Sequence, residues 1–113
     1  MDAIGFVVPV PSGKEQADRD WMSTLDGERR AEYRSAWKDA GFKHHTVWQQ
    51  QTPNGTVDIV YLEADDIPAA MRTISSSDAP FHRWFRERVL DVHDLDLTQE
   101  NPPQPTLLHD ATF

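Results

Sequence analysis

The sequence predicts an α+β domain: a four-stranded antiparallel sheet with helices on one face, in the order β-α-β-β-α-β. Three observations lead there. A short β-branched run opens the chain, and two longer strand-like runs flank the turn signal Asn54-Gly55. Stretches with apolar residues at helical spacing separate these runs. A last short run, Leu107-Leu108-His109, follows a proline-rich loop over 98–105 and supplies the fourth strand.

Ile4 to Val10 is apolar and closed by Pro9, Pro11 and Gly13, which makes it the first strand. Ser12 and Glu15 have capping-box spacing, so a helix starts near Gly13 and buries Ala17, Trp21, Met22 and Leu25. Asp26 can cap a second stretch, where Tyr33, Ala36, Trp37 and Ala40 form an apolar stripe and Gly41 ends the helix. Arg30, Arg34 and Lys38 run down its solvated side. Asp65-Asp66 cap the next helix, with Pro68 in its first turn and Ile67, Ala70, Met71 and Ile74 inward. Ser75 to Asp78 break it, and Pro80 opens a last helix through about His93. This order is that of the ferredoxin-like split unit, within one domain spanning residues 1–113.

The hairpin is informative on both faces. A turn at Asn54-Gly55 pairs Val47 with Leu62 on one face and Trp48 with Tyr61 on the other. The first face is aliphatic. The second carries Trp48, Ile59 and Tyr61 with His44, Thr46, Gln50 and Glu63. A half-solvated sheet shows one polar face. A second subunit is the economical cover for the second face, so a homodimer is expected.

The chain has 113 residues, enough for one core. Its net charge of −8 argues against binding duplex nucleic acid or an anionic membrane surface. It has no cysteine, which excludes disulfides, thiolate metal sites and a Cys nucleophile. No apolar run is long enough to span a membrane, and Met1-Asp2-Ala3 lacks a basic leader, so a cytoplasmic location is expected. Glycine-rich phosphate loops and nucleotide, flavin or nicotinamide motifs are missing, so no cofactor is expected. Metal-ligand spacings such as H-x-x-x-H or H-x-H are missing too.

The last helix holds the candidate chemistry. Phe81, Phe85, Val89 and Val92 cluster within about 80° of arc, with Trp84 on their flank. His82, Arg86 and His93 fall within about 40° of one another on the opposite border of that stripe, where a pocket lip between helix and sheet belongs. The two histidines are about 16 Å apart along the axis, so at most one serves a given site. His44 and His45 point to opposite faces of their strand and do not chelate together. Tyr61 with a histidine suits proton relay to an enolisable ketone. The candidate catalytic residues are thus His82, His93 and Tyr61. Candidate substrate-binding residues are Trp48, Arg86, His44, Trp84 and Phe85, and no metal ligand is assigned.

Val47 to Gln50, the Asn54-Gly55 turn, Val60 to Glu63 and Pro80 to Arg86 together resemble the dimeric α/β-barrel superfamily, in particular its small bacterial members. Antibiotic-biosynthesis monooxygenases and polyketide cyclases are distant relatives there. The resemblance implies two sheets paired into a barrel and a small-molecule ligand between each sheet and its helices. With the candidate residues, the expectation is a cofactor-independent cyclase or isomerase. Its substrate would be a small, aromatic or polyketide-like metabolite, turned over by His/Tyr acid–base chemistry. The alternatives are a cofactor-free monooxygenase and a non-catalytic dimer that binds a metabolite or a protein.

Overall fold

The computed structural model describes residues 2–99 and 103–113. Strands β1 (Asp2–Val10), β2 (Phe42–Thr52) and β3 (Gly55–Ala64) form one antiparallel sheet in the order β1-β3-β2. Helices α1 (Glu15–Thr24), α2 (Arg30–Asp39), α3 (Ile67–Ser76) and α4 (Pro80–His93) pack on one face of it.

The sheet has three strands, which corrects the expected four-stranded ferredoxin-like unit and the paired-sheet barrel built on it. Residues 103–113 form no strand, and Leu108 is 92% exposed. Pro103 and Pro105 have no N–H for a ladder, and two leucines among polar neighbours offer no alternating face to bury. Of the proline-rich loop over 98–105, residues 98 and 99 form a turn, 103–105 have no regular structure, and 100–102 lie outside the described residues. Strand β1 therefore stays an edge, blunted by Pro9.

The hairpin turns at Pro53-Asn54 rather than Asn54-Gly55: Thr52 pairs with Gly55, whose φ of +120° suits glycine. Thr52 Oγ1 accepts from the Asn54 N–H at 3.1 Å and donates to the Gly55 carbonyl at 2.7 Å, fixing the bend. The register thus differs by two residues from expectation. Val47 meets Val60, Trp48 meets Ile59 and Thr46 meets Tyr61. A shift of two keeps every side chain on its predicted face. A bulge between Phe42 and His44 then lets Phe42 and His45, three residues apart, both face the helices.

Helix ends follow their chemistry in part. The Asp66 carboxylate accepts from Ala69 N at 3.0 Å and caps α3. Glu15 reaches back to Gly13 N at 2.8 Å, but Ser12 makes no cap bond and the N-cap of α1 is Lys14, so the capping box expected of Ser12 and Glu15 does not form. Asp26 does not cap α2, whose N-cap is Arg29. Helix α4 has the predicted bounds and buries Phe81, Phe85, Val89 and Val92.

The core lies between sheet and helices and is aromatic. Trp37 stacks on Phe42 and on His45, each with ring centroids 4.2 Å apart, and Trp21 meets Phe85 edge-on at 5.3 Å. Among the described residues, no helix lies on the far face of the sheet. There Val7 is 53% and Trp48 55% exposed on either side of Ile59.

Candidate functional site

A cavity of about 80 Å³ lies between the sheet and the helices. Phe6, Val47, Leu62, Trp37, Ile74 and Phe85 are among its apolar walls, and its ionisable lining residues are Asp58, His93 and His45. Its volume matches that of a few waters or a small organic fragment.

Three elements deliver a charged cluster to one end of this cavity. Asp18 comes from α1, Asp58 from β3 and His93 from the last residue of α4. The Nε2 atom of His93 lies 3.5 Å from Asp18 Oδ1 and 3.4 Å from Asp58 Oδ2, with all three side chains almost fully buried. His93 Nδ1 donates to the Pro9 carbonyl at 2.9 Å, which sets the ring's orientation. Asp18 is held by two more donors: Trp21 Nε1 donates at 3.2 Å to the Oδ1 that faces His93, and Gln49 Nε2 to its Oδ2 at 3.1 Å. Asp58 Oδ1 is buried and has no hydrogen-bond partner among the described residues.

The electrostatics follow from this geometry. Burial alone would lower the His93 imidazole, but Asp18, Asp58 and the Pro9 carbonyl outweigh it and hold the group up at about 10. Burial raises Asp58, and the neighbouring Asp18 charge raises it further, against the pull of His93. Asp18 goes the other way. Burial would raise it, but the neighbouring His93, Asp58 and Gln49 side chains draw it down. Two carboxylates with opposed shifts beside an imidazole form a set that can hold and pass a proton.

On another wall, His45 Nδ1 shares a 2.7 Å hydrogen bond with the Tyr33 hydroxyl, and the ring lies flat against Trp37. Burial holds this imidazole down at about 4 from its ordinary 6.5, with the His44 charge adding to the effect. A neutral His45 therefore supports the fold above pH 6.5, and that support is lost as the pH falls from 6.5 through 4. We expect urea unfolding to show a loss of up to about 3 kcal/mol from this group across that window. In His45→Gln the pH profile should be flatter by that amount, and parallel profiles for the two proteins would remove His45 as the cause.

The sequence candidates are distributed over three places. His93 and Phe85 line the cavity. Tyr61, Trp48 and His44 lie on the opposite side of the sheet. There the Tyr61 hydroxyl donates to Glu63 at 2.5 Å, and its ring meets His44 edge-on at 5.9 Å. Tyr61 and His93 are thus separated by the sheet and share no site. His82 is buried away from the cavity, and burial and the Arg86 charge lower its imidazole against the opposing pull of the Ala36 carbonyl. Arg86 donates from Nη1 to the carbonyls of Ile74 and Ser77, both at 2.8 Å, so it closes the end of α3. Trp84 packs on Trp21 and lies under the Arg29 guanidinium, whose carbon is 4.0 Å from the ring centre.

Asp18 and Asp58 were missed, yet both carry a signal. Asp18 begins the stripe Asp18, Trp21, Met22, Leu25 at i, i+3, i+4, i+7, and takes the inward place assigned to Ala17, which is exposed. Asp58 sits on the alternation Thr56, Asp58, Val60, Leu62, Ala64 that faces the helices. An acid on a buried stripe is the mark of a site or a paired charge.

No protein family, curated protein or solved structure matches the chain. Fold and site define a small α+β domain with a buried acid–imidazole cluster at one end of an apolar cavity.

Proposed function

We propose that the protein is an enzyme that binds a small, mainly apolar metabolite between sheet and helices and catalyses a proton transfer on it, as in an isomerisation or cyclisation. The observation that supports this most directly is His93 with Asp58 and Asp18 at the polar end of an otherwise apolar cavity. An enolisable substrate fits this arrangement. Asp58 takes or returns the proton at carbon, and His93, whose Nε2 faces both carboxylates, balances the charge that Asp58 carries. Asp18 positions His93. Tyr61 and His44 have no part in this chemistry, because the sheet separates them from the cavity.

The test is hydrogen–deuterium exchange at the α-carbon of a panel of small aromatic ketones in heavy water. Wild type should catalyse exchange for at least one of them, and Asp58→Asn should lower the rate by roughly 10²–10⁴-fold. A ketone that binds without exchange would instead favour a metabolite-binding module. No exchange and no binding across the panel would overturn the reading.

We further propose that the open face of the sheet is covered by a second copy of the chain. Val7, Trp48 and Ile59 form an apolar row across it, with Pro9 and Val57 beside them. In a chain of net charge −8, Glu63 is the one acid among its outward strand positions from 3 to 9, 44 to 50 and 57 to 63, so self-association meets little repulsion there. Wild type should sediment as a dimer at micromolar concentration and Trp48→Glu as a monomer with unchanged circular dichroism. A wild-type monomer under those conditions rules the dimer out.

A further inference from the structure

The geometry points to a divalent-cation site formed by Asp18, Asp58 and His93, with zinc the best-fitting ion. Three acceptors converge there. Because His93 Nδ1 donates to the Pro9 carbonyl, the lone pair of a neutral ring lies on Nε2, and Nε2 faces two carboxylates. Lone pair against carboxylate is repulsive, so a proton, on Nε2 or on a carboxyl, or a metal ion must lie between them.

The distances favour the ion. A protonated imidazole bonds a carboxylate at about 2.7–2.9 Å. Here the two N···O distances are 3.4 and 3.5 Å, longer than such a bond and nearly equal. In a tetrahedron with zinc bonds of 2.0–2.1 Å, neighbouring ligand atoms stand about 3.3–3.4 Å apart. Octahedral magnesium at the same bond length wants about 3.0 Å and prefers oxygen donors throughout. One donor atom from each residue lies within 4.8 Å of the other two.

Charge and surroundings agree. Two buried carboxylates carry the charge that a divalent cation cancels with a neutral imidazole. Asp58 Oδ1, on a residue 2% exposed, has a free acceptor in the same carboxylate. Gln49 orients Asp18 through the oxygen turned away from His93, Trp21 bonds the oxygen that faces it, and the Pro9 carbonyl orients His93, as outer partners of metal ligands do. Asp58 and His93 both line the apolar cavity, so the site borders it. Three protein ligands with an open fourth place is the pattern of a catalytic zinc site, where the ion polarises a substrate oxygen or activates water. Sequence spacing concealed the site because each ligand comes from a different element.

This inference goes beyond the proton-transfer reading and does not need a substrate for its test. Chelator-stripped wild type is titrated with Zn²⁺ by calorimetry. One ion per chain is expected, and Asp58→Asn and His93→Gln should each weaken binding by more than roughly a hundredfold. Glu63→Gln, on the far face of the sheet, should bind as wild type does. Co²⁺ added to wild type should give the intense visible bands of a tetrahedral ion, a readout that stands even where a variant fails to fold. No zinc binding by wild type, equal binding by the variants, or a weak octahedral cobalt spectrum would each overturn the site. Loss of ketone exchange with zinc binding intact would count against the enzyme reading alone.

Discussion

Replacing His93 by alanine, with chelator present, is expected to destabilise the fold by about 3–5 kcal/mol at neutral pH. The substitution leaves Asp18 and Asp58 buried side by side with no positive centre between them. The loss should shrink as the pH falls towards 4, because a proton on one carboxylate removes the repulsion. Asp58→Asn in the same chain should restore much of the lost stability at neutral pH, since it removes one of the two charges without changing shape. Urea titrations of the three proteins at pH 7 and pH 4.5 decide this. A loss below about 1 kcal/mol at pH 7, typical of an exposed pair, would mean that the cluster is open to water.

Trp37→Ala is expected to cost about 3–5 kcal/mol and to lower the melting temperature by more than about 10 °C. Trp37 is the hub of the aromatic core: it stacks on Phe42 and His45 and touches Tyr33 and Phe85. Each such ring pair contributes about 0.5–1.5 kcal/mol beyond buried area. Trp37→Phe should cost much less, because Trp37 Nε1 has no hydrogen-bond partner to lose. Trp37 also forms a wall of the cavity, so the alanine variant enlarges it. Near-equal melting temperatures for the phenylalanine and alanine variants would show that the ring stacking carries little energy.

Much of the scaffold was legible because it is locally encoded. Helix α4 could be read to both ends: Pro80 fixes its start, and the Phe81, Phe85, Val89, Val92 stripe fixes its face. Asp66 capped α3 as its side chain dictates. The hairpin faces were also legible, although the turn was not. Asn54-Gly55 is a strong turn signal, but Thr52 and Gly55 close the pair around Pro53-Asn54. The error was even, so the faces survived it. The fourth strand failed for a non-local reason. Leu107 and Leu108 have strand composition, but a strand forms only where a neighbouring edge accepts it, and residues 103–113 pair with none.

The site divides in the same way. One helix carries His93 and Phe85, and both line the cavity. Tyr61 was joined to the histidines on chemical type alone, and the sheet keeps them apart. Asp18 and Asp58 each broke an apolar pattern, which marks them as inward-facing but names no partner.

Local sequence by itself determined the four helices and the three paired strands, most of their apolar sides, and that the sheet has a second face rich in large side chains. Tertiary structure decided the number of strands and brought Asp18, Asp58 and His93 to one point. The reason is physical: periodicity and capping act within a few residues, whereas the meeting of α1, β3 and the end of α4 depends on how whole elements pack across the sheet.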